Sequence, residues 1–60
     1  MVNREDIKLG DIIEWQNYNR ITYGHVVANQ EGDPVILLQN GKTLPLDGVI
    51  HSPSAKLVRQ

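Results

Sequence analysis

Apolar and polar residues alternate with a period of two along much of the chain, which is the pattern of half-buried strands. The alternation is clearest over residues 11–16, where Ile13 and Trp15 share one face with the preceding Leu9. Short runs of the same kind predict further strands at residues 21–28, 35–39, 44–46, 49–50 and 56–59. Residues 1–8 form a short polar N-terminal segment in which Asn3 predicts one helical turn. The pattern therefore predicts five or six short strands and no helix longer than that single turn.

The dipeptide Asn40-Gly41 lies between two apolar runs and is a strong signal for a hairpin. Both residue types tolerate the positive φ that a type I′ turn requires. We therefore predict a two-residue loop with positive φ at both positions. That loop places Leu37 opposite Leu44. Gly24 interrupts the longest predicted strand, where a lone glycine marks a bulge, a corner or a close backbone approach.

Most of the predicted strands carry two adjacent apolar residues. Neighbours in a strand face opposite sides of a sheet, so one member of each pair points away from the core. In the run of residues 35–38 the outward pair is either Ile36 and Leu38 or Val35 and Leu37. We take Ile36 and Leu38 as candidate partner-binding residues, because apolar side chains on neighbouring strands form patches that mark interfaces. Such a patch also favours self-association of a small domain.

The three aromatic residues lie within nine positions of one another, with Arg20 among them. Trp15 shares the predicted core face, so we expect it to be buried. Tyr18 is flanked by asparagines and is expected to be exposed in the loop after the first strand. Tryptophan, tyrosine and arginine are enriched at binding hot spots. Tyr18, Arg20 and Tyr23 are therefore further candidate partner-binding residues.

Residues 9–13 (LGDII), 24–27 (GHVV) and 35–37 (VIL) together resemble the strand–loop–strand core of KOW-type and related SH3-like barrels of bacteria. The resemblance implies a small five-stranded SH3-like barrel, which also removes exposed sheet edges. A short 3₁₀ turn expected at residues 52–55 agrees with that fold. The resemblance also implies association with RNA or ribosomes. Typical KOW sequences, however, carry lysine and glycine in the first loop, whereas the only basic residue of that loop in this chain is Arg20.

The charge balance weighs against nucleic acid as the main partner. The chain has six basic and seven acidic residues, which gives a net charge of −1, and the basic residues are scattered along the sequence. Binding of phosphate backbones requires several converging cations. Association with RNA or DNA is therefore the alternative function, for which the candidate contacts are Arg20, Lys42, Lys56 and Arg59.

The sequence has no cysteine, no metal-ligating histidine spacing and no nucleophile–base pair. We therefore expect no enzyme activity, no cofactor and no metal site; a small oligomeric enzyme or ligand-binding protein is the third alternative. The charged start and the lack of a long apolar run predict no membrane segment and a cytoplasmic location. The 60 residues are expected to form one domain. The favoured function is a non-enzymatic interaction module that binds a protein partner or itself.

Overall fold

The computed structural model of the chain describes residues 2–58. It contains five strands: β1 (Ile12–Asn17), β2 (Arg20–Ala28), β3 (Pro34–Leu37), β4 (Thr43–Pro45) and β5 (Lys56–Val58). A 3₁₀ turn at Arg4–Asp6 precedes them, as the N-terminal pattern predicted, and a short helix, α1 (Leu46–Ile50), connects β4 to β5. The predicted all-β class is confirmed.

The five strands form one antiparallel sheet in the order β4-β3-β2-β1-β5. Successive strands along the chain are neighbours from β1 to β4, because short turns connect them directly. The last strand returns to the other side of β1, which places β1 and β2 at the centre. Within residues 2–58 the sheet is not closed, and β4 and β5 form its two edges.

The core lies between one face of the sheet and α1. Its buried members are Ile13, Trp15, Val26, Ile36, Leu46, Val49, Ile50 and Ala55. Burial of Trp15 confirms the prediction from the alternating pattern. Gly24 allows the tight packing here, because a Cβ at this position would overlap Cγ2 of Ile36 and lie 3.3 Å from the Trp15 ring. Of the three predicted roles for this glycine, close approach is the one that the fold uses.

Helix α1 was not predicted from the sequence. Leu46, Val49 and Ile50 are all buried, and their i, i+3, i+4 spacing places them on one helical face toward the core. The prediction of a strand at residues 49–50 with one side chain outward was therefore wrong. Pro45 precedes the helix and donates no backbone hydrogen bond, which favours the end of β4 at this point. The Arg4 guanidinium donates to the Asp47 carboxylate at 2.6 Å and ties the 3₁₀ turn to α1.

The β3–β4 hairpin exists, but its loop is longer than predicted. The amide of Leu38 donates to the carbonyl of Lys42 at 2.8 Å, and the amide of Gly41 donates to the carbonyl of Leu38 at 3.0 Å. Only Gly41 has a positive φ, +88°. These features define a three-residue loop with a glycine bulge, which shifts the register by one residue. Leu37 consequently pairs with Thr43, and not with Leu44 as predicted.

The pairing of β3 with β2 corrects which residues of β3 face outward. Ile36 pairs with Val26 and is 0% exposed, so the prediction that it contacts a partner was wrong. Its neighbours Val35 and Leu37 occupy the opposite, outer face and are half-buried. Leu38 is half-buried and packs against the rim of the core.

The N-terminal segment packs against the core and not against the outer face of the sheet. Val2 and Ile7 contact the buried cluster. Leu9 does not continue the buried face of β1 as predicted, because the chain turns at Lys8–Asp11 with Gly10 at φ +95°. Leu9 is therefore 62% exposed.

Candidate functional site

A cleft lies between the β1–β2 turn and the β3–β4 turn. Pairing of β2 with β3 begins only at His25, which is opposite Leu37. The N-terminal half of β2 is paired with β1 alone, so a gap opens beside it. The gap has a volume of about 660 Å³ and is lined by residues 17–23 and 38–40. We call it the turn cleft.

Four of the five predicted partner-binding residues line the turn cleft. Tyr18, Arg20 and Tyr23 contribute from the β1–β2 hairpin, and Leu38 contributes from the start of the β3–β4 turn. Leu38 is distant from the other three in sequence, but it lies beside them because both turns are at the same end of an antiparallel sheet. Ile36 is the exception and lies in the core.

Tyr18 occupies an unfavourable backbone conformation in a two-residue turn. Its φ is +57°, in the left-handed region where glycine and asparagine are preferred. The side chain is 92% exposed, as predicted, so burial of the ring within the chain does not compensate the backbone cost. The backbone carbonyl of Tyr18 accepts a hydrogen bond from Gln16 Nε2 at 3.3 Å. A bulky residue held exposed in a strained turn is a feature typical of functional sites.

Tyr23 is fixed at the rim of the cleft by its neighbour on β1. Glu14 is directly opposite Tyr23 in the β1–β2 ladder. The hydrogen bond to Glu14 and the negative charge of that carboxylate raise the pKa of Tyr23 above its usual value of 10.0. Glu14 also forms an ion pair with Lys56 on β5 at 3.6 Å. Tyr23 is therefore a neutral hydrogen-bond donor with a half-exposed ring.

The cleft is electrostatically one-sided. Its lining includes the cation Arg20 and no carboxylate. Among residues 2–58 the ion pairs are Arg4–Asp47 and Lys56–Glu14, so Arg20 has no anionic partner there. An anionic group is the natural complement of this lining.

The cations proposed for nucleic-acid binding are not gathered in one place. Arg20 lines the turn cleft, and Lys42 follows the β3–β4 turn. Lys56 is on the edge strand β5 and is already paired with Glu14. Arg59 lies outside the described residues.

Sequence reasoning missed six of the lining residues, among them one exposed aliphatic residue and one polar pair. Ile21 is 64% exposed beside Tyr23, and the signal that could have identified it is the i, i+2 spacing of these two residues in one strand. The other contributor is the polar pair Gln39 and Asn40, whose position depends on the longer loop of the β3–β4 hairpin.

A second surface is the outer face of the sheet. Away from the turn cleft, its half-buried and exposed apolar side chains include Ile12, Val27, Val35, Leu37 and Val58. His25 lies among them, opposite Ile12 on one side and Leu37 on the other. The outer face confirms that most adjacent apolar pairs divide between core and exterior.

In the described part of the chain, no group of three or more histidine or acidic side chains is placed to hold a metal ion. Over the same residues, no helix has the length and hydropathy needed to cross a bilayer.

Comparison of the chain with protein-family models, with curated proteins and with solved structures found no match. The resemblance to KOW-type and SH3-like proteins therefore stays a prediction from the residues themselves.

Proposed function

We propose that the chain is a small SH3-like barrel that acts as a non-enzymatic interaction module and binds a protein partner through the turn cleft. The barrel assignment is supported by the strand order β4-β3-β2-β1-β5 and by the short helix α1 between β4 and the last strand. The observation that carries the functional proposal is the convergence of Tyr18, Arg20, Tyr23 and Leu38 on one open cleft.

The composition of the cleft favours a protein over a nucleic acid. Tyrosine and arginine side chains bring large contact areas and directional hydrogen bonds, which are the properties of interface hot spots. A phosphate backbone requires several unpaired cations in a row, whereas the cleft lining supplies Arg20 alone. Self-association through the same surface is the second form of this function. Sedimentation over a concentration range distinguishes the two, because the mass of a self-associating chain rises with concentration.

The test is a selection of displayed random peptides on the immobilised chain, followed by affinity measurements with matched variants. Ile21→Ala shortens an exposed aliphatic side chain in the cleft. Leu9→Ala does the same at the other end of the molecule, and the two residues are 64% and 62% exposed. Arg20→Gln and Lys8→Gln form a second pair that removes one exposed charge inside or outside the cleft.

We expect the selected peptides to bind the Leu9 and Lys8 variants as tightly as the unaltered chain. Binding should weaken about tenfold for the Ile21 and Arg20 variants, because hot-spot truncations cost more than about 1 kcal/mol. Equal loss in both members of each pair would contradict the assignment of the cleft. A structured RNA that binds more tightly than any peptide, with a steep salt dependence, would establish the alternative function instead.

A further inference from the structure

The open side of β2 presents backbone groups that no other strand pairs with. Val26 directs both its amide and its carbonyl toward the segment before β1, donating to Asp11 at 2.9 Å and accepting from Gly10 at 2.8 Å. In an antiparallel ladder this direction alternates from residue to residue. Ile21 and Tyr23 therefore direct their amides and carbonyls away from β1, into the turn cleft.

Pairing on that side stops before these two residues. The β2–β3 ladder covers His25 to Ala28, and no backbone or side-chain partner within residues 2–58 bonds the amides of Ile21 and Tyr23. On the far side of β1, where β5 ends early, the unpaired backbone amide does have a hydrogen-bond partner. There the amide of Gln16, beyond the end of β5, donates to Ser54 Oγ at 2.9 Å. The chain thus caps one short unpaired edge and leaves the other open.

We infer that the turn cleft binds an extended peptide as an added antiparallel strand along Ile21–Tyr23, with apolar side chains on one face and acidic side chains on the other. Strand addition is a recurrent form of peptide recognition, in which backbone bonds give affinity and alternating side chains give specificity. The inference rests on the proposed function and specifies the chemistry of the partner.

The alternation follows from the register. A peptide residue that exchanges hydrogen bonds with Ile21 or Tyr23 lies opposite it and shares its face of the sheet. Those two side chains are exposed and largely apolar, so valine-like residues fit beside them. The intervening peptide residues fall on the face of Arg20, which has no anionic partner in the described chain. Carboxylates fit at these positions.

The probe is the acetylated and amidated peptide Glu-Val-Glu-Val-Glu-Val, with its lysine-for-glutamate counterpart as the charge control. Two further peptides carry N-methyl groups, either on the valine nitrogens or on the glutamate nitrogens. Only the valine nitrogens face β2 in the inferred register. We expect valine methylation to weaken binding about tenfold or more, because each lost backbone bond costs about 1 kcal/mol. Glutamate methylation should change the affinity by less than about threefold.

Amide hydrogen exchange of the chain supplies a readout that needs no substitution. Saturating peptide should slow exchange at Ile21 and Tyr23 about tenfold or more. The amide of Thr22 serves as the internal control, because it is directed at β1 and already protected. Equal affinities of the two methylated peptides, or unchanged exchange at Ile21 and Tyr23, would overturn strand addition.

The outcomes separate this inference from the proposed function. If selected peptides depend on Arg20 and Ile21 but leave the two amides unprotected, the cleft binds peptides in another manner and only strand addition is wrong. If no peptide binds, both proposals are wrong. If the two amides become protected at high protein concentration without peptide, a second copy of the chain is the occupant, and the inferred partner is wrong.

Discussion

Replacement of Gly24 by alanine tests how the core is packed beneath the sheet. An added Cβ would overlap Cγ2 of Ile36, which is fully buried and lies on a stiff β-branched side chain. It would also lie 3.3 Å from the Trp15 ring. Both neighbours belong to the close-packed core, so relief of the overlap requires displacement of other core residues. We therefore expect Gly24→Ala to destabilise the fold.

The expected change in the free energy of unfolding for Gly24→Ala is the difference between two opposing effects. Overpacking of a close-packed core costs about 1–3 kcal/mol, and the overlap with Ile36 places this site near the upper end. Alanine also restricts the unfolded chain and returns about 0.4–1 kcal/mol. The net loss is about 2 kcal/mol. A chain of 60 residues has a total stability of roughly 3–9 kcal/mol, so the loss is a large fraction of it.

Gly48→Ala is the matched control. Gly48 lies in α1, and a Cβ there has no heavy atom within 4 Å. The same substitution should therefore stabilise the chain by up to about 1 kcal/mol through helix propensity. Urea denaturation followed by circular dichroism and by the fluorescence of Trp15, the single tryptophan, measures both variants. The corresponding decrease in Tm for Gly24→Ala is about 8–16 °C.

A second substitution identifies the cause. Leucine has one γ carbon and no branch at Cβ, so Ile36→Leu removes the methyl group that the new Cβ would meet. The double variant Gly24→Ala/Ile36→Leu should be more stable than the sum of the two single changes predicts. Equal midpoints for Gly24→Ala and Gly48→Ala, or strict additivity in the double variant, would refute the packing described here.

Three further predictions concern the turns and the rim of the cleft. Tyr18→Asn should raise the free energy of unfolding by about 1 kcal/mol, because asparagine tolerates the left-handed backbone, and should weaken peptide binding; a stability loss in urea denaturation would contradict the strain assigned to Tyr18. Gly41→Val should cost more than about 1 kcal/mol because φ is +88° at Gly41, and an unchanged urea midpoint would be incompatible with that turn. Glu14→Gln should lower the pKa of Tyr23, measured by NMR titration of its ring, because the carboxylate that opposes ionisation is gone. Since the folded-state pKa of Tyr23 is raised, the stabilisation from its contact with Glu14 should be complete below pH about 10 and decline as the pH rises through the folded-state value. If the pKa of Tyr23 were the same in Glu14→Gln as in the unaltered chain, this explanation would be wrong.

The parts of the fold that could be predicted from sequence are those with a marked local pattern. Ile13 and Trp15 alternate with polar neighbours, so their burial is evident from the period of two. Tyr18 lies among asparagines in a short polar loop, and its exposure follows from that context. The need for glycine at position 24 was also visible, although the residues that require it were not.

The predictions that were wrong concern features set by contacts between residues that are distant in sequence. The four apolar residues of the β3 region carry no polar marker, so the face that Ile36 occupies is set by pairing with Val26 across the sheet. Helix α1 has only five residues and is stabilised by burial against the sheet, which local propensity does not reveal. The open edge of β2 depends on where the β3–β4 hairpin turns. Hairpin loops of two and three residues share similar sequence signals, and the loop that formed shifts the register.

The most direct test of the central claim is a crystal structure of the chain with a selected peptide bound. We expect an extended peptide beside β2, with backbone hydrogen bonds to Ile21 and Tyr23 and an acidic side chain at Arg20. A peptide bound on the outer face of the sheet over Leu37, or one that makes no backbone contact with β2, would contradict it.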